Sequence, residues 1–254
     1  MKLLACNLLA IVGLSGQPQF EVATIKPTPP DWNGGRFIRM ESGNRLIARN
    51  HAVRTLLAAA FNLTPKSILG GEDWIDSVRW DIEARTPGDT RPNPEQQTAM
   101  LRELLVERFA MQFHREKRVM PLYTLSVAKG GPKLAESALP PDDDRALINV
   151  VYPDRVRLPA KNATMSQFTS MLQRGVLNRP VLDHTGLTAR FDFELEWTPD
   201  DSQFGGQGPA SWQTEGTKQS LFSALQEQLG LKLEAGRGEV EVLVIDRTSR
   251  PSAN

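Results

Sequence analysis

Cysteine is nearly absent: Cys6 stands alone in 254 residues, so no disulfide can form within the chain. A surplus of either charge is missing too. Thirty basic and thirty acidic side chains give a formal net charge of +0. Without a field of one sign nothing draws the chain as a whole onto a nucleic acid or an anionic membrane, and no nucleic-acid partner is expected. Only three histidines occur, at 51, 114 and 184. There is no Gly-x-Ser-x-Gly, no Ser-x-x-Lys between a strand and a helix, and no His-Glu-x-x-His. Gly34-Gly35 and Gly205-Gly206-Gln207-Gly208 lack the strand-to-helix setting in which glycines cradle phosphate. No catalytic residue, cofactor or metal site is expected on these grounds.

Long apolar runs are missing as well, with one exception. Lys2 precedes Leu3 to Leu14, interrupted by Asn7 and Gly13 and followed by Ser15 and Gly16. A basic start, a short apolar stretch and a small-residue exit describe a secretory signal, placed at residues 1–16 and too short to span a bilayer permanently. The competing readings are a buried N-terminal strand and a mis-assigned start. Export makes the expected location periplasmic or secreted, with membrane contact through the signal only. Leu3-Leu4-Ala5-Cys6 spells a lipoprotein cleavage pattern, but five residues ahead of Cys6 are too few, and a lipid anchor there is not expected.

What the chain does contain is one pattern written twice. Asn50, Val53, Leu56 and Ala60 correspond to Asn162, Met165, Phe168 and Leu172. Arg79-Trp80-Asp81-Ile82-Glu83 corresponds to Arg190-Phe191-Asp192-Phe193-Glu194. Leu105 and Phe109 correspond to Leu225 and Leu229. The expected fold is α+β: two tandem related units, each of helices packed on antiparallel or mixed sheets. They are assigned to residues 17–132 and 147–254 around a linker at 133–146, as two lobes or one continuous domain.

Within each unit the elements follow from local rules. Phe20 to Lys26 reads as a strand, and Arg36 to Glu41 with Arg45 to Arg49 as a hairpin around Ser42-Gly43-Asn44. Asn50 is the expected N-cap of a helix through Phe61. Arg79 to Arg85 alternates wet and apolar positions. Asn93 and Pro94 open a helix that runs to Phe109. Met111 to Arg115 and Val119 to Val127 are expected to reverse at Arg115 to Arg118. The second unit repeats this: strands at Asn149 to Val151 and Arg155 to Leu158, a helix at Met165 to Gln173, a strand at Arg190 to Trp197 and a helix at Ser220 to Leu229. A terminal hairpin, Leu231 to Glu234 with Val240 to Asp246, is expected to turn at Gly236-Arg237-Gly238. Thr198 to Gly216 is a long polar insertion.

FEVATIKP (20–27), GGEDWIDSVRWDIEA (70–84), LLVERFAMQFHRE (104–116), PLYTLSVAKGGPKL (121–134), RPVLDHTGLTARFDFELEWTPD (179–200) and the segment from Ala224 to Asn254 carry a resemblance. In order and spacing they resemble a large family of exported soil-bacterial proteins of unknown function. Its domain is also found appended to membrane metallopeptidases of the antibiotic-sensor type. The resemblance implies an extracytoplasmic sensing or contact role and supplies no catalytic residues.

The polar candidates favour scaffold over chemistry. Asp81 with Glu83, and Asp192 with Glu194 and Glu196, lie at period two on strands. They read as a charged outer face beside arginines rather than as a glycosidase acid pair. His114 reads as a surface residue and His51 as part of a helix entry. Asp183 and His184 read as a turn ahead of Gly186. Asp142-Asp143-Asp144 reads as a solvated acidic turn rather than a calcium loop. Trp74 is expected to fold onto the core, whereas Trp212 and Trp32 are the expected partner contacts. The function expected is a non-catalytic envelope binding module whose partner is an unknown envelope protein or polymer. The alternative is a hydrolase acting on an envelope glycan or peptide through Asp/Glu and His184.

Overall fold

The computed structural model describes residues 19–89, 91–143, 147–206 and 219–251. The signal at 1–16, Cys6, Asp144 and Trp212 lie outside the described residues. The first unit runs β1 (Val22–Pro27), β2 (Phe37–Glu41), β3 (Arg45–Ala52), α1 (Val53–Phe61), β4 (Ile68–Gly70), α2 (Trp74–Ser77), β5 (Arg79–Arg85), α3 (Pro94–Arg108) and β6 (Gln112–Val127). The second begins with β7 (Ala135–Glu136), which lies within the stretch expected as a linker and pairs with β11, and runs on through β8 (Val150–Val151), β9 (Val156–Ala163), α4 (Met165–Met171), β10 (Val181–Asp183), β11 (Phe191–Trp197), α5 (Leu221–Leu229) and β12 (Leu231–Arg247). Mixed helices and sheets make the fold α+β.

Local chemistry sets the helix ends. Asn93 and Gln96 exchange bonds in a capping box at α3, with Pro94 in the first turn, and Thr164 and Gln167 do the same at α4. Ser220 caps α5, which ends on Gly230 in the left-handed region. Asn50 does not cap α1, whose N-cap is Ala52. Asn50 sits instead at φ 59 inside β3, where the register slips between Ala48 and His51. Asn162 sits at φ 54 near the end of β9, across from the irregularity between Phe191 and Phe193. A bulge needs one residue off the strand geometry, and asparagine tolerates the left-handed region better than most side chains. At the end of α4 a π-helical turn, Leu172–Val176, continues the helix beyond the expected Gln173.

The strands form three four-stranded sheets. One has the order β1-β5-β3-β2 and another the order β7-β11-β9-β8, the same order when each unit is numbered from its own start. The central sheet, β10-β6-β12-β4, reads alike from either side, with β4 parallel to β12 and β10 parallel to β6. Neither expected reversal exists. β6 passes straight through Arg115 to Arg118, and β12 straight through Gly236 to Gly238. The two pair antiparallel with each other from Leu231↔Val127 to Arg247↔Gln112. The charged cluster in β6 finds partners across the ladder, Arg115 on Glu241 at 2.5 Å and Lys117 near Glu239 at 3.7 Å, so no turn is needed to solvate it. Gly238 makes room rather than a turn: a Cβ there would stand 3.1 Å from Leu122 Cδ2.

This pairing exchanges strands between the units. One core gathers β1, β3, α1, α2, β5 and α3, and is completed by Leu243 and Ile245 from β12. The other gathers β9, α4, β11, α5 and the start of β12, and is completed by Tyr123 and Leu125 from β6. Each such buried side chain contributes about 1.5–3 kcal/mol, so each lobe draws part of its stability from the other half of the chain. The lobes also touch directly, where Asn62 Nδ2 donates to Ser170 Oγ at 2.8 Å and Gln173 Nε2 donates to the Asn62 carbonyl at 2.8 Å.

Candidate functional site

The repeated carboxylates hold the bulges. Asp81 accepts the Asn50 N–H at 3.0 Å and the Thr28 hydroxyl at 2.7 Å, with Arg49 3.7 Å away. Asp192 accepts the Asn162 N–H at 2.9 Å and the Lys161 ammonium at 2.9 Å. These donors, led by the Asn162 N–H and the Lys161 ammonium, hold the Asp192 carboxyl down at about 2. Glu83 takes Arg49 and Arg45, and Glu194 takes Arg157 at 2.5 Å. Both carboxyls lie below their ordinary range because those guanidiniums bond the charged form. The arginine partners make this a charged sheet face, as the alternation suggested.

The histidines do not converge. The His114 ring, half exposed, bonds Asp246 at 2.9 Å. Asp183 turns its carboxylate onto Thr185, accepting from its N–H at 2.9 Å and its hydroxyl at 2.7 Å. The His184 N–H belongs to the sheet, donating to the Leu125 carbonyl at 2.8 Å. His51 is 7% exposed. Thr55 Oγ1 spends its only proton on the Ala52 carbonyl at 2.8 Å, so it accepts from His51 Nδ1–H at 3.1 Å. His51 Nε2 is then a bare acceptor, and it is buried without a partner. Burial, then the Arg36 charge, push the imidazole down to about 4.

Trp74 folds onto the core, stacked on Phe109 at 6.1 Å. Trp32 is 36% exposed and lies over Gly34, its indole N–H donating to the Gly35 carbonyl at 2.7 Å. Asp143 forms a turn onto Pro140, and its carbonyl accepts Asn162 Nδ2 at 2.9 Å. Among the described residues no three His, Cys, Asp or Glu side chains are grouped to hold a metal ion. No helix there is long and apolar enough to cross a membrane.

A cleft of about 270 Å³ opens in the second lobe between Asp154, Arg155, Glu196, Trp197, Thr198, Gln219 and Gln228. Its walls are locked. Gln228 mimics a strand: its Oε1 accepts the Glu196 N–H at 2.9 Å, and its Nε2 donates to the Glu196 carbonyl at 2.7 Å and to Gln219 Oε1 at 2.6 Å. Gln219 Nε2 donates to Glu227 at 2.7 Å, and the Gln219 carbonyl takes the Thr198 N–H at 2.9 Å. Arg155 lies over Tyr152 at 4.5 Å, bonds Asp154 at 3.1 Å and stands 3.3 Å from Glu196. Trp197 is the buried floor, its indole N–H on Gln203 at 2.8 Å. Sequence reasoning named Glu196 only as part of a charged sheet face and did not join it to the others, which come from four separate stretches. The signal nearest to them was the polar insertion Thr198 to Gly216, whose first residue lines the cleft.

An α+β chain of two strand-exchanged lobes with a polar cleft in one of them is the class that fold and site define. A family model described as protein of unknown function (DUF3738) matches residues 54–248, and the chain belongs to that family. No curated protein matches the chain. No solved structure matches it either.

Proposed function

We propose that this protein is an exported, non-catalytic binding module of the bacterial envelope that holds an envelope protein or polymer at the cleft of its second lobe. The supporting observation is the cleft itself. Gln219 and Gln228 are fixed by mutual and backbone hydrogen bonds, so their polar groups are set before a partner arrives and little ordering entropy is lost on contact. The apolar run Leu3 to Leu14 supports export. The family's extracytoplasmic setting, and descent of the two units from one duplicated ancestor, belong to the same reading. Trp212, between Gly206 and Gln219 in the chain, and Trp32 are the further contacts proposed.

The test is retention of residues 17–254 on a washed envelope fraction. Arg155→Gln and Gln219→Ala are expected to lower retention about tenfold, the loss of one or two polar contacts, with an unchanged unfolding midpoint. Trp212→Ala lowers it as well. Equal retention of wild type and cleft variants would remove the cleft from the reading, and a reporter fused behind residues 1–16 that stays in the cytoplasm would remove export.

A further inference from the structure

The cleft's groups define what it accepts. Asp154 and Glu196 supply carboxylate acceptors, and Arg155 stands between them, bonded to one and 3.3 Å from the other. Thr198 contributes a hydroxyl, which donates to the Asp154 carbonyl at 3.3 Å and keeps its acceptor lone pairs. Gln219 spends one of its two amide hydrogens on Glu227. Arg155 Nη2 has no acceptor among the described residues, and Arg155 Nε is buried without a hydrogen bond of good geometry.

Donors and acceptors therefore alternate over a short distance. An anionic ligand would meet Asp154 and Glu196, and like charges at close range cost several kcal/mol. A cationic ligand would compete with Arg155 for Asp154 and Glu196 and meet the guanidinium, a like charge, at close range. A hydroxyl both donates and accepts, so a row of hydroxyls satisfies carboxylate, guanidinium and amide together with no net charge to desolvate. The volume of about 270 Å³ lies just under the range of roughly 300–1,000 Å³ for small-molecule sites, which is room for one compact unit of a longer chain.

We infer that the cleft formed by Asp154, Arg155, Glu196, Thr198, Gln219 and Gln228 takes one unit of a neutral, polyhydroxylated glycan, an inference that rests on the cleft being the contact site. It chooses the polymer over the protein partner and assigns its chemistry: uncharged sugar, recognised through planar polar side chains.

The experiment titrates the ¹⁵N-labelled protein with neutral trisaccharides of a hexose, an N-acetylhexosamine and a pentose, beside a trimer of galacturonate and trilysine. Backbone resonances of Glu196 and Thr198 and the side-chain amides of Gln219 and Gln228 are followed. At least one neutral trisaccharide is expected to shift these resonances at millimolar concentration, and Arg155→Gln to weaken it about tenfold without moving core resonances. Preferential shifts with galacturonate or trilysine overturn the neutral-sugar assignment. So does silence with all three neutral sugars. If cleft variants still lose envelope retention, only the sugar assignment falls; if retention is also unchanged, the contact reading falls with it.

Discussion

His51→Ala is expected to alter how stability depends on pH more than stability near neutrality. In the second unit the equivalent position, one residue past the bulge asparagine, is Ala163, fully buried, so this backbone accepts alanine. Removing the imidazole loses its packing but also removes a buried acceptor without a donor, and the latter costs about 1–3 kcal/mol when present. The two nearly cancel above neutral pH. Under acid they do not. The folded imidazole titrates at about 4 against 6.5 for the ordinary group, held down by burial first and by Arg36 next, with the Phe37 backbone pulling it up, Arg79 pushing it down and Asp81 pulling it up less. A depressed histidine means the unfolded chain takes up the proton first. Stability is therefore complete above about pH 6.5 and falls as the pH drops toward 4. Between about pH 7.5 and pH 4.5 the wild type should lose roughly 2.5 kcal/mol that His51→Ala keeps. Urea unfolding of both proteins at the two pH values measures this as a change in the gap between their midpoints at constant slope. A gap that does not move by at least about 1 kcal/mol would refute the account of a neutral, buried, arginine-flanked imidazole.

Three further outcomes follow from the packing. Leu125→Ala, on β6 of the first unit, should cost about 2–5 kcal/mol. Hydrogen exchange should then loosen in β9, α4 and α5 rather than in α1 and α3; the reverse pattern would deny the strand exchange. Gly230 and Ala110 occupy matching helix exits at φ 64 and φ 45. Gly230→Ala would place a Cβ 2.1 Å from the Gly131 carbonyl oxygen and should cost roughly 3 kcal/mol. Ala110→Gly should gain about 0.5–1 kcal/mol, both read from thermal unfolding. Asp192→Ala strips the acceptor from the Asn162 N–H and should cost about 1–3 kcal/mol, with Asp192→Asn milder. The wild-type contribution of Asp192 is present above pH 4 and lost as the pH falls toward 2, because its folded pKa is the lower one. A fully stable Asp192→Ala would show that the bulge needs no anchor.

Where local rules govern, reading the chain succeeded: the cap at Asn93, Pro94 in the first turn behind it, and the two-residue alternation in Arg79 to Arg85 are properties of neighbouring residues. Asn50 misled because asparagine serves both helix caps and strand bulges, and only pairing with β5 decides between them. The charged run Arg115 to Arg118 and the glycines 236 and 238 read as turns because turns are the commonest setting for such clusters. A long partner strand makes both of them continuous. The cleft could not be read, since Asp154, Glu196 and Gln228 become neighbours only when β9, β11 and α5 assemble.

The amino-acid sequence by itself determined most helices and strands, because these depend on residues within a few positions of one another, and the balanced charge and the double pattern, which need only the order of the letters. Tertiary structure alone decided that β6 and β12 pair with each other instead of folding back. It also assigned the repeated aspartates to the bulges and gathered a polar cleft in one lobe. Those outcomes turn on which distant backbone satisfies a strand's hydrogen bonds, and no local pattern carries that choice.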